Sequence, residues 1–461
     1  MNRRCMLVFL ISLLILLSGS LFAQETRIFT LQSSVDFALE NNPSYKIAEK
    51  ELDKSKEDVW GSYSGILPQL DAYGSYQRAH IIQQSTIPNF IKTMLGPAAT
   101  PDMPDFVSIA FGLQNTVIYG ARVTQPIFQG GAGVAGIRAA KAAREVMSQN
   151  LIQQRQNLIF QTVRAFYSCL LTQEMIAVQE EAMAQAEANL EIVLKKYNVG
   201  AASGFDKMRA EVEVAILQPA LISTRNNYQS ALTGLRTVLG LEKEISLQVD
   251  GKFQFVPESL DSLSLFQLQE IALTNRPELQ GIKYQQAASR MGVNIAFSQF
   301  LPRVTLGIDY SLMAMRNNLR LSSGDFSEGF ISTLNLQIPL FHGFRSKQQY
   351  QKAKLDYRIL KDMEREIQNR VAAEVEVAYN KLMEAGEKYL SANETVELAR
   401  EALRLANLMY EEGANTQIDV LSSRLALTEA QMNFVSSLYE YQIARYQLRK
   451  VTGLLEGVLD S

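Results

Sequence analysis

The chain carries the same turn sequence twice. The stretch "YNVGAASGFD" begins at Tyr197 and the stretch "YEEGANTQID" begins at Tyr410, 213 residues later. Each copy has a glycine three residues after the tyrosine and an aspartate nine residues after it. Glycine is typical of a helix C-terminus, and aspartate is typical of the first turn of the next helix. The repeated turn therefore predicts two helical hairpins, one in each half of the chain.

Other landmarks recur in the same order at two offsets. The motif "LENNP", which ends at Pro43, matches "LTNRP", which ends at Pro277, at an offset of 234 residues. From Gln125 onward, the motifs match their counterparts at an offset of 213 residues. A single drop in the offset indicates one insertion in the first half, which we place at about 80–110 and predict to be a surface loop because it is rich in proline. The chain is therefore interpreted as internally duplicated.

Two segments in each half alternate apolar and polar residues, as half-buried strands do. They predict strands at about 68–79 and 111–127 in the first half, and at about 302–313 and 330–341 in the second. Each is about as long as a tilted strand that crosses a bilayer, ~9–11 residues. A four-stranded sheet in lipid would have unpaired edges, so closing a barrel requires further chains. This argument alone allows two, three or four copies.

The remainder of each half is predicted to be helical. No proline lies between Gly131 and Tyr197, or between Arg345 and Tyr410, and apolar residues recur there every three or four positions. This pattern predicts coiled-coil helices, and one of ~65 residues would be ~100 Å long. The predicted organisation is a signal peptide at 1–23, a first repeat at 24–240 with helices at about 131–240, an equatorial connector at 241–263, and a second repeat at 264–461 with helices at about 345–454.

The N-terminus and the composition narrow the class of protein. Two arginines, a short apolar run and small residues up to Ala23 are typical of an export signal. The net charge of -3 does not favour nucleic acid as a partner, and two histidines and two cysteines are too few for a usual metal cluster. The glycines after Gly130 lack the Lys-Ser/Thr of a phosphate loop. We therefore predict no enzyme activity, no cofactor and no metal.

The duplicated strand and coiled-coil plan, the two "YxxGxxxxxD" turns and the Leu-Pro strand starts resemble the TolC-like outer-membrane efflux protein family. The resemblance extends from about Leu31 to Leu454. It implies an α+β membrane protein whose homotrimer forms a 12-stranded β-barrel in outer-membrane lipid, with a periplasmic helical extension. It also implies a periplasmic adaptor (membrane fusion) protein and an inner-membrane transporter of the RND or ABC type as partners in efflux or type I secretion.

The resemblance also implies roles for residues of the two turns. The aperture or gate residues would be Asp206, Asp419, Tyr197 and Tyr410, and the adaptor-contact residues would be Gly200 and Gly413. The family has a second aspartate three residues beyond the first, where this chain has Arg209 and Ser422. Close carboxylates would raise one another's pKa by like-charge repulsion. A simpler role for both aspartates is helix capping alone.

Two other classes of protein compete with a channel. A secreted or periplasmic coiled-coil structural protein without a pore would explain the helices, but it would not explain four alternating strands at matched positions. A passive porin formed by one chain would consist mostly of strands, whereas only four are predicted here.

Overall fold

The computed structural model describes residues 26–243 and 245–455. The predicted signal peptide lies outside these residues. The elements up to the connector are β1 (Thr26–Phe29), α1 (Leu31–Asn41), α2 (Pro43–Ser62), β2 (Gln69–Arg78), β3 (Gln84–Pro88), α3 (Phe90–Leu95), β4 (Phe106–Ala110), β5 (Asn115–Gln129), α4 (Ala132–Asn198) and α5 (Gly204–Leu239). They are followed by β6 (Ser246–Val249), α6 (Leu265–Asn275), α7 (Pro277–Ser298), β7 (Arg303–Arg316), β8 (Ser327–Gln337), α8 (Arg345–Glu411) and α9 (Gln417–Val451).

Strands from both halves form one antiparallel sheet. Its order is β2-β5-β7-β8, so β5 of the first half pairs with β7 of the second. β2 and β8 are the two edges of this sheet. Two smaller sheets pair β1 with β6 in parallel and β3 with β4 in antiparallel.

The two faces of the sheet differ in polarity. Val304 lies opposite Leu336 and Leu306 lies opposite Leu334, so these four apolar side chains share one face of β7 and β8. Leu334 is 69% exposed and Leu336 is 59% exposed. The other face carries polar pairs, such as Thr305 with Asn335. An apolar face this exposed requires a cover other than water.

The structure differs from the predicted strands in two places. The last strand was predicted at about 330–341, but β8 ends at Gln337, because its partner β7 begins at Arg303, which lies opposite Gln337. Pro339, which has no N–H to donate, follows two residues later. The insertion at about 80–110 was predicted to be a loop without regular structure, but it contains β3, α3 and β4.

The helices account for most of the chain. α4 and α8 each contain 67 residues, α5 contains 36 and α9 contains 35. Among the described residues, no helix is both long enough and apolar enough to cross a membrane.

The chain forms two compact units. One unit consists of 54–144 and 284–361 and contains the four-stranded sheet and the insertion. The other contains most of the long helices and the connector. Its apolar core includes Phe166 and Leu235 near the connector, and Leu403 and Leu427 nearer the helical turns.

Within the helical unit, the connector is fixed to α9 by buried polar groups. The Glu258 side chain is 0% exposed and accepts hydrogen bonds from Arg445 Nε at 3.0 Å and from Arg449 Nε at 2.6 Å. The Glu258 backbone N–H donates to the Tyr441 hydroxyl at 3.2 Å, and that hydroxyl donates to the Val256 carbonyl at 3.3 Å. We call Glu258, Arg445, Arg449 and Tyr441 the connector clasp.

Candidate functional site: the two helical tips

Each helical hairpin reverses direction through a glycine in the left-handed conformation. Gly200 has φ +78° and Gly413 has φ +72°. In each turn the residue after the glycine donates a backbone hydrogen bond to the end of the preceding helix: Ala201 N–H to the Lys196 carbonyl and Ala414 N–H to the Met409 carbonyl, both at 2.8 Å. Glycine adopts positive φ without the penalty that a Cβ imposes, so both turns require it. We call these turns the first tip (residues 197–206) and the second tip (residues 410–419).

Both predicted gate aspartates cap the helix that follows. Asp206 N–H donates to Ser203 Oγ at 3.1 Å, and Ser203 N–H donates back to Asp206 Oδ2 at 3.1 Å. Thr416 N–H donates to Asp419 Oδ2 at 3.0 Å, and the Thr416 hydroxyl also donates to this oxygen. These reciprocal pairs are capping boxes, and the simpler capping role is therefore present at both tips.

The caps also determine how these carboxyl groups ionise within one chain. Hydrogen bonds from Ser203 lower the pKa of Asp206, and hydrogen bonds from Thr416 lower the pKa of Asp419. This direction is opposite to the rise that like-charge repulsion between close carboxylates would produce. Both groups are therefore ionised at neutral pH and place one negative charge at each tip.

The two gate tyrosines have different surroundings. Tyr410 of the second tip is half-buried, and Lys196 Nζ lies 4.4 Å from its ring centroid. Burial and the negative charge of Asp206 both raise the pKa of Tyr410, which shows that Asp206 of the first tip lies close to this ring. Tyr197 is 42% exposed, and its ring faces Lys207 of its own hairpin at 5.4 Å. The structure therefore brings Asp206, Lys196 and Tyr410 together, whereas Tyr197 contacts its own hairpin.

Sequence reasoning missed an ion pair behind the tips. Arg424 Nη1 lies 2.8 Å from Glu213 Oε1, and the two side chains are 8% and 17% exposed, so this contact joins α9 to α5. Arg424 lies on the helix face that buries Val420 and Leu427. A charged residue at a core position of a coiled-coil pattern was the signal that could have revealed it. A groove of 320 Å³ with mostly apolar walls lies beside the pair.

The geometry contains nothing that catalyses a reaction. Among the residues that the structure describes, no group of His, Cys, Asp and Glu is arranged to hold a metal ion. Cys169 is buried, and burial raises the pKa of its thiol to about 12, so it is an unreactive core residue.

Comparison with known proteins identifies the family. The sequence profile described as "Outer membrane efflux protein" matches residues 35–241 and 268–454. The chain belongs to this family. As an outer membrane efflux protein, it lies in the outer membrane with its helices in the periplasm, and it serves as an efflux or secretion duct. This assignment favours a channel over a coiled-coil scaffold without a pore.

Individual relatives of this outer membrane efflux protein agree with the assignment. Outer membrane protein TolC of Vibrio cholerae is 24% identical over 427 residues, which is 92% of this chain and 91% of the relative. The alkaline protease secretion protein AprF of Pseudomonas aeruginosa is 23% identical over 429 residues, which is 91% of this chain and 83% of the relative. The crystal structure of the Campylobacter jejuni CmeC outer membrane channel has a TM-score of 0.74 at 19% identity and covers 92% of this chain and 86% of that one. This structural likeness shows the same fold.

Proposed function

We propose that three copies of this outer membrane efflux protein form one exit duct through the outer membrane. The observation that carries the proposal is the four-stranded sheet, which has edges at β2 and β8 and an exposed apolar face. Unpaired strand edges are not stable in hydrocarbon, so β8 of one copy would pair with β2 of the next. Three sheets give twelve strands, a number within the range of outer-membrane barrels.

The proposed duct is built from two repeats of one unit. The order of elements supports this, because α1-α2-β2-β5-α4-α5 in the first half corresponds to α6-α7-β7-β8-α8-α9 in the second. The family profile also matches the chain twice, at 35–241 and at 268–454. We therefore propose repeats at 24–240 and 264–461, joined by a connector at 241–263.

The proposed partners follow from the family. A duct in the outer membrane needs a periplasmic adaptor and an inner-membrane transporter of the RND or ABC type to deliver cargo. Gly200 and Gly413 would contact the adaptor, because they lie at the ends of the helical hairpins and have open space around them. The printed name of AprF assigns it to secretion of a protease, which supports the type I secretion form of this system.

The proposed gate is the set of six tips in the trimer. Asp206 and Asp419 would form acidic rings that favour cations. Tyr410 would hold the tips closed through its position between Lys196 and Asp206. Tyr197 would act at the first tip, where it is more exposed.

Single-channel conductance in a planar bilayer tests the duct and separates gating from capping. Asp206→Asn/Asp419→Asn removes both charges but keeps side chains that can cap a helix. Ser203→Ala/Thr416→Ala keeps both charges but removes the hydroxyls of the capping boxes. We expect a small, cation-preferring conductance in the parent, lost selectivity in the asparagine variant and retained selectivity in the alanine variant.

Other outcomes would count against parts of the proposal. Equal selectivity in the parent and the asparagine variant would restrict the aspartates to capping. A purified protein that is monomeric and forms no channels would contradict the trimeric duct itself.

A further inference from the structure

A cavity of 470 Å³ lies where the four-stranded sheet meets the long helix α8. β7 begins at Arg303, β8 ends opposite it at Gln337, and α8 begins at Arg345. The side chains of Arg303, Arg345 and His342 line this cavity together with glutamines such as Gln299. The wall therefore combines cationic groups with amide donors.

The two arginines lack anionic partners in this structure. Within the part of the chain that the structure describes, neither Arg303 nor Arg345 forms an ion pair with a carboxylate. Many other charged side chains of the long helices are paired, for example Arg400 with Glu397 at 2.7 Å. Two unpaired guanidinium groups that border one cavity favour a planar, multivalent anion such as a phosphate, which arginine binds through two parallel hydrogen bonds.

An apolar chamber adjoins the basic cavity. It shares Gln299, Pro339, His342 and Ser346 with the larger cavity, and it has a volume of 160 Å³. The apolar side chains around it are widely exposed: Leu340 is 93% exposed, Phe341 is 72% exposed and Phe344 is 69% exposed. The cationic and apolar parts together fit a ligand that has an anionic head and a hydrocarbon tail.

Phe344 holds its exposed position in a strained backbone conformation. It is the only non-glycine residue with positive φ among the described residues, at +65°. The matching position of the first half is Gly131, with φ +82°, where no Cβ resists this conformation. Phe344 also packs edge-on against Phe341, with ring centroids 5.5 Å apart. An aromatic ring kept in a strained and exposed position indicates a functional constraint at this junction.

We propose that this junction binds an anionic phospholipid of the periplasmic leaflet of the outer membrane. The phosphate would lie between Arg303 and Arg345, and an acyl chain would cover Leu340, Phe341 and Phe344. This placement rests on the proposed function, in which β7 and β8 cross the outer membrane and α8 extends into the periplasm. The junction then lies at the level of the lipid headgroups, where basic pockets recognise anionic lipids. The first half has Ala132 in place of Arg345 and Gly131 in place of Phe344, so we expect one such site per chain.

Native mass spectrometry of the full-length protein in detergent tests this site. The probes are dioleoyl phosphatidylglycerol, dioleoyl phosphatidylcholine and inorganic phosphate. We expect the parent to prefer phosphatidylglycerol, and Arg303→Gln/Arg345→Gln to weaken that binding about tenfold, as loss of charge-assisted hydrogen bonds does. The matched control is Arg358→Gln/Arg370→Gln, which removes two exposed arginines from α8 and should leave binding unchanged. Phe344→Gly should weaken binding of both lipids but leave the preference for phosphatidylglycerol.

Several results would overturn the lipid site. Equal affinity for the two lipids, equal losses in both double variants, or inorganic phosphate binding as tightly as phosphatidylglycerol would each contradict it. The same spectra report the mass of the protein assembly. A trimer without a lipid preference would reject this site and keep the duct, whereas a monomer would reject the proposed trimer.

Discussion

The connector clasp and the two tips hold the same helices by different means. At the clasp, a carboxylate that is 0% exposed is bound by two arginines of α9. At the tips, Asp206 and Asp419 are exposed and are bound mainly within their own turns. Removing one partner of a buried ion pair costs several kcal/mol, whereas an exposed cap contributes about 1 kcal/mol.

This difference separates a fixed region from a region that can move. The clasp joins the connector to the last helix through residues that are distant in sequence, so it cannot open without exposing a buried charge. The contacts between the tips are fewer, and the Lys196–Tyr410 contact lies near the surface. We therefore expect conformational change to occur at the tips while the connector stays fixed, and the experiments below test that contrast.

The largest effect is expected from Glu258→Gln. It leaves Arg445 and Arg449 without a charged partner in a buried position, and we expect a loss of about 3–5 kcal/mol in the free energy of unfolding. Thermal unfolding followed by circular dichroism measures it, at matched protein concentration. Glu270→Gln is the control, because Glu270 is exposed. Equal stability of the two variants would show that the clasp does not fix the connector.

A smaller loss is expected from breaking the Arg424–Glu213 pair. We expect Arg424→Ala to cost about 2–3 kcal/mol, because Glu213 retains some contact with water. A double-mutant cycle with Glu213→Ala isolates the interaction between the two side chains. The same variants should increase channel conductance, because this pair lies behind the tips. If stability fell while conductance stayed at the parent value, the pair would have no part in closure.

A smaller effect still is expected from Ser203→Ala, which removes one hydroxyl from the first tip. We expect a loss of about 1 kcal/mol, which is typical for an N-cap. Hydrogen exchange at the start of α5 measures it locally. The start of α9 provides the internal control, because its capping box is intact. Faster exchange at both helices would mean that the tips open as one unit.

The smallest effect is expected from mild acid. The pKa values of Asp206, Asp419 and Glu258 are all lowered; at Glu258, burial opposes ionisation, but hydrogen bonds and charge from Arg449 outweigh it. A lowered pKa adds stability above the unfolded value, ~4, and that stability is lost as the pH falls through the folded value. We therefore expect unfolding temperature and cation selectivity to stay constant from about pH 7 to pH 5. A change in selectivity within that range would indicate that like-charge repulsion in a ring raises the aspartate pKa values.

Periodicity predicted the long elements better than the short ones. The strand predicted at about 302–313 lies at Arg303–Arg316, and the helix predicted to begin near Arg345 begins there. Long segments repeat their apolar pattern many times, so the pattern is unambiguous. β1 and β6 have four residues each and pair across more than 200 positions, which no local pattern reveals. Prolines hid the strands of the insertion in the same way.

The candidate site shows the same limit. The tip glycines and aspartates were found because their positions repeat, and their local role as caps follows from the residue types. The Arg424–Glu213 pair and the position of Lys196 over Tyr410 depend on how one hairpin packs on the other. A single sequence does not contain that packing in readable form. Whether the aspartates form a gate stays a prediction for the conductance experiment.

The equal lengths of α4 and α8 limit how this chain can change in evolution. Each has 67 residues, and the contact between Lys196 and Tyr410 places the ends of both at one level. A deletion of seven residues from one long helix alone would shorten it by about 10 Å and withdraw its tip from that level. We expect insertions and deletions in these helices to be inherited as compensated sets of whole heptads across both hairpins. The reach of the protein into the periplasm would then differ among relatives in steps rather than continuously.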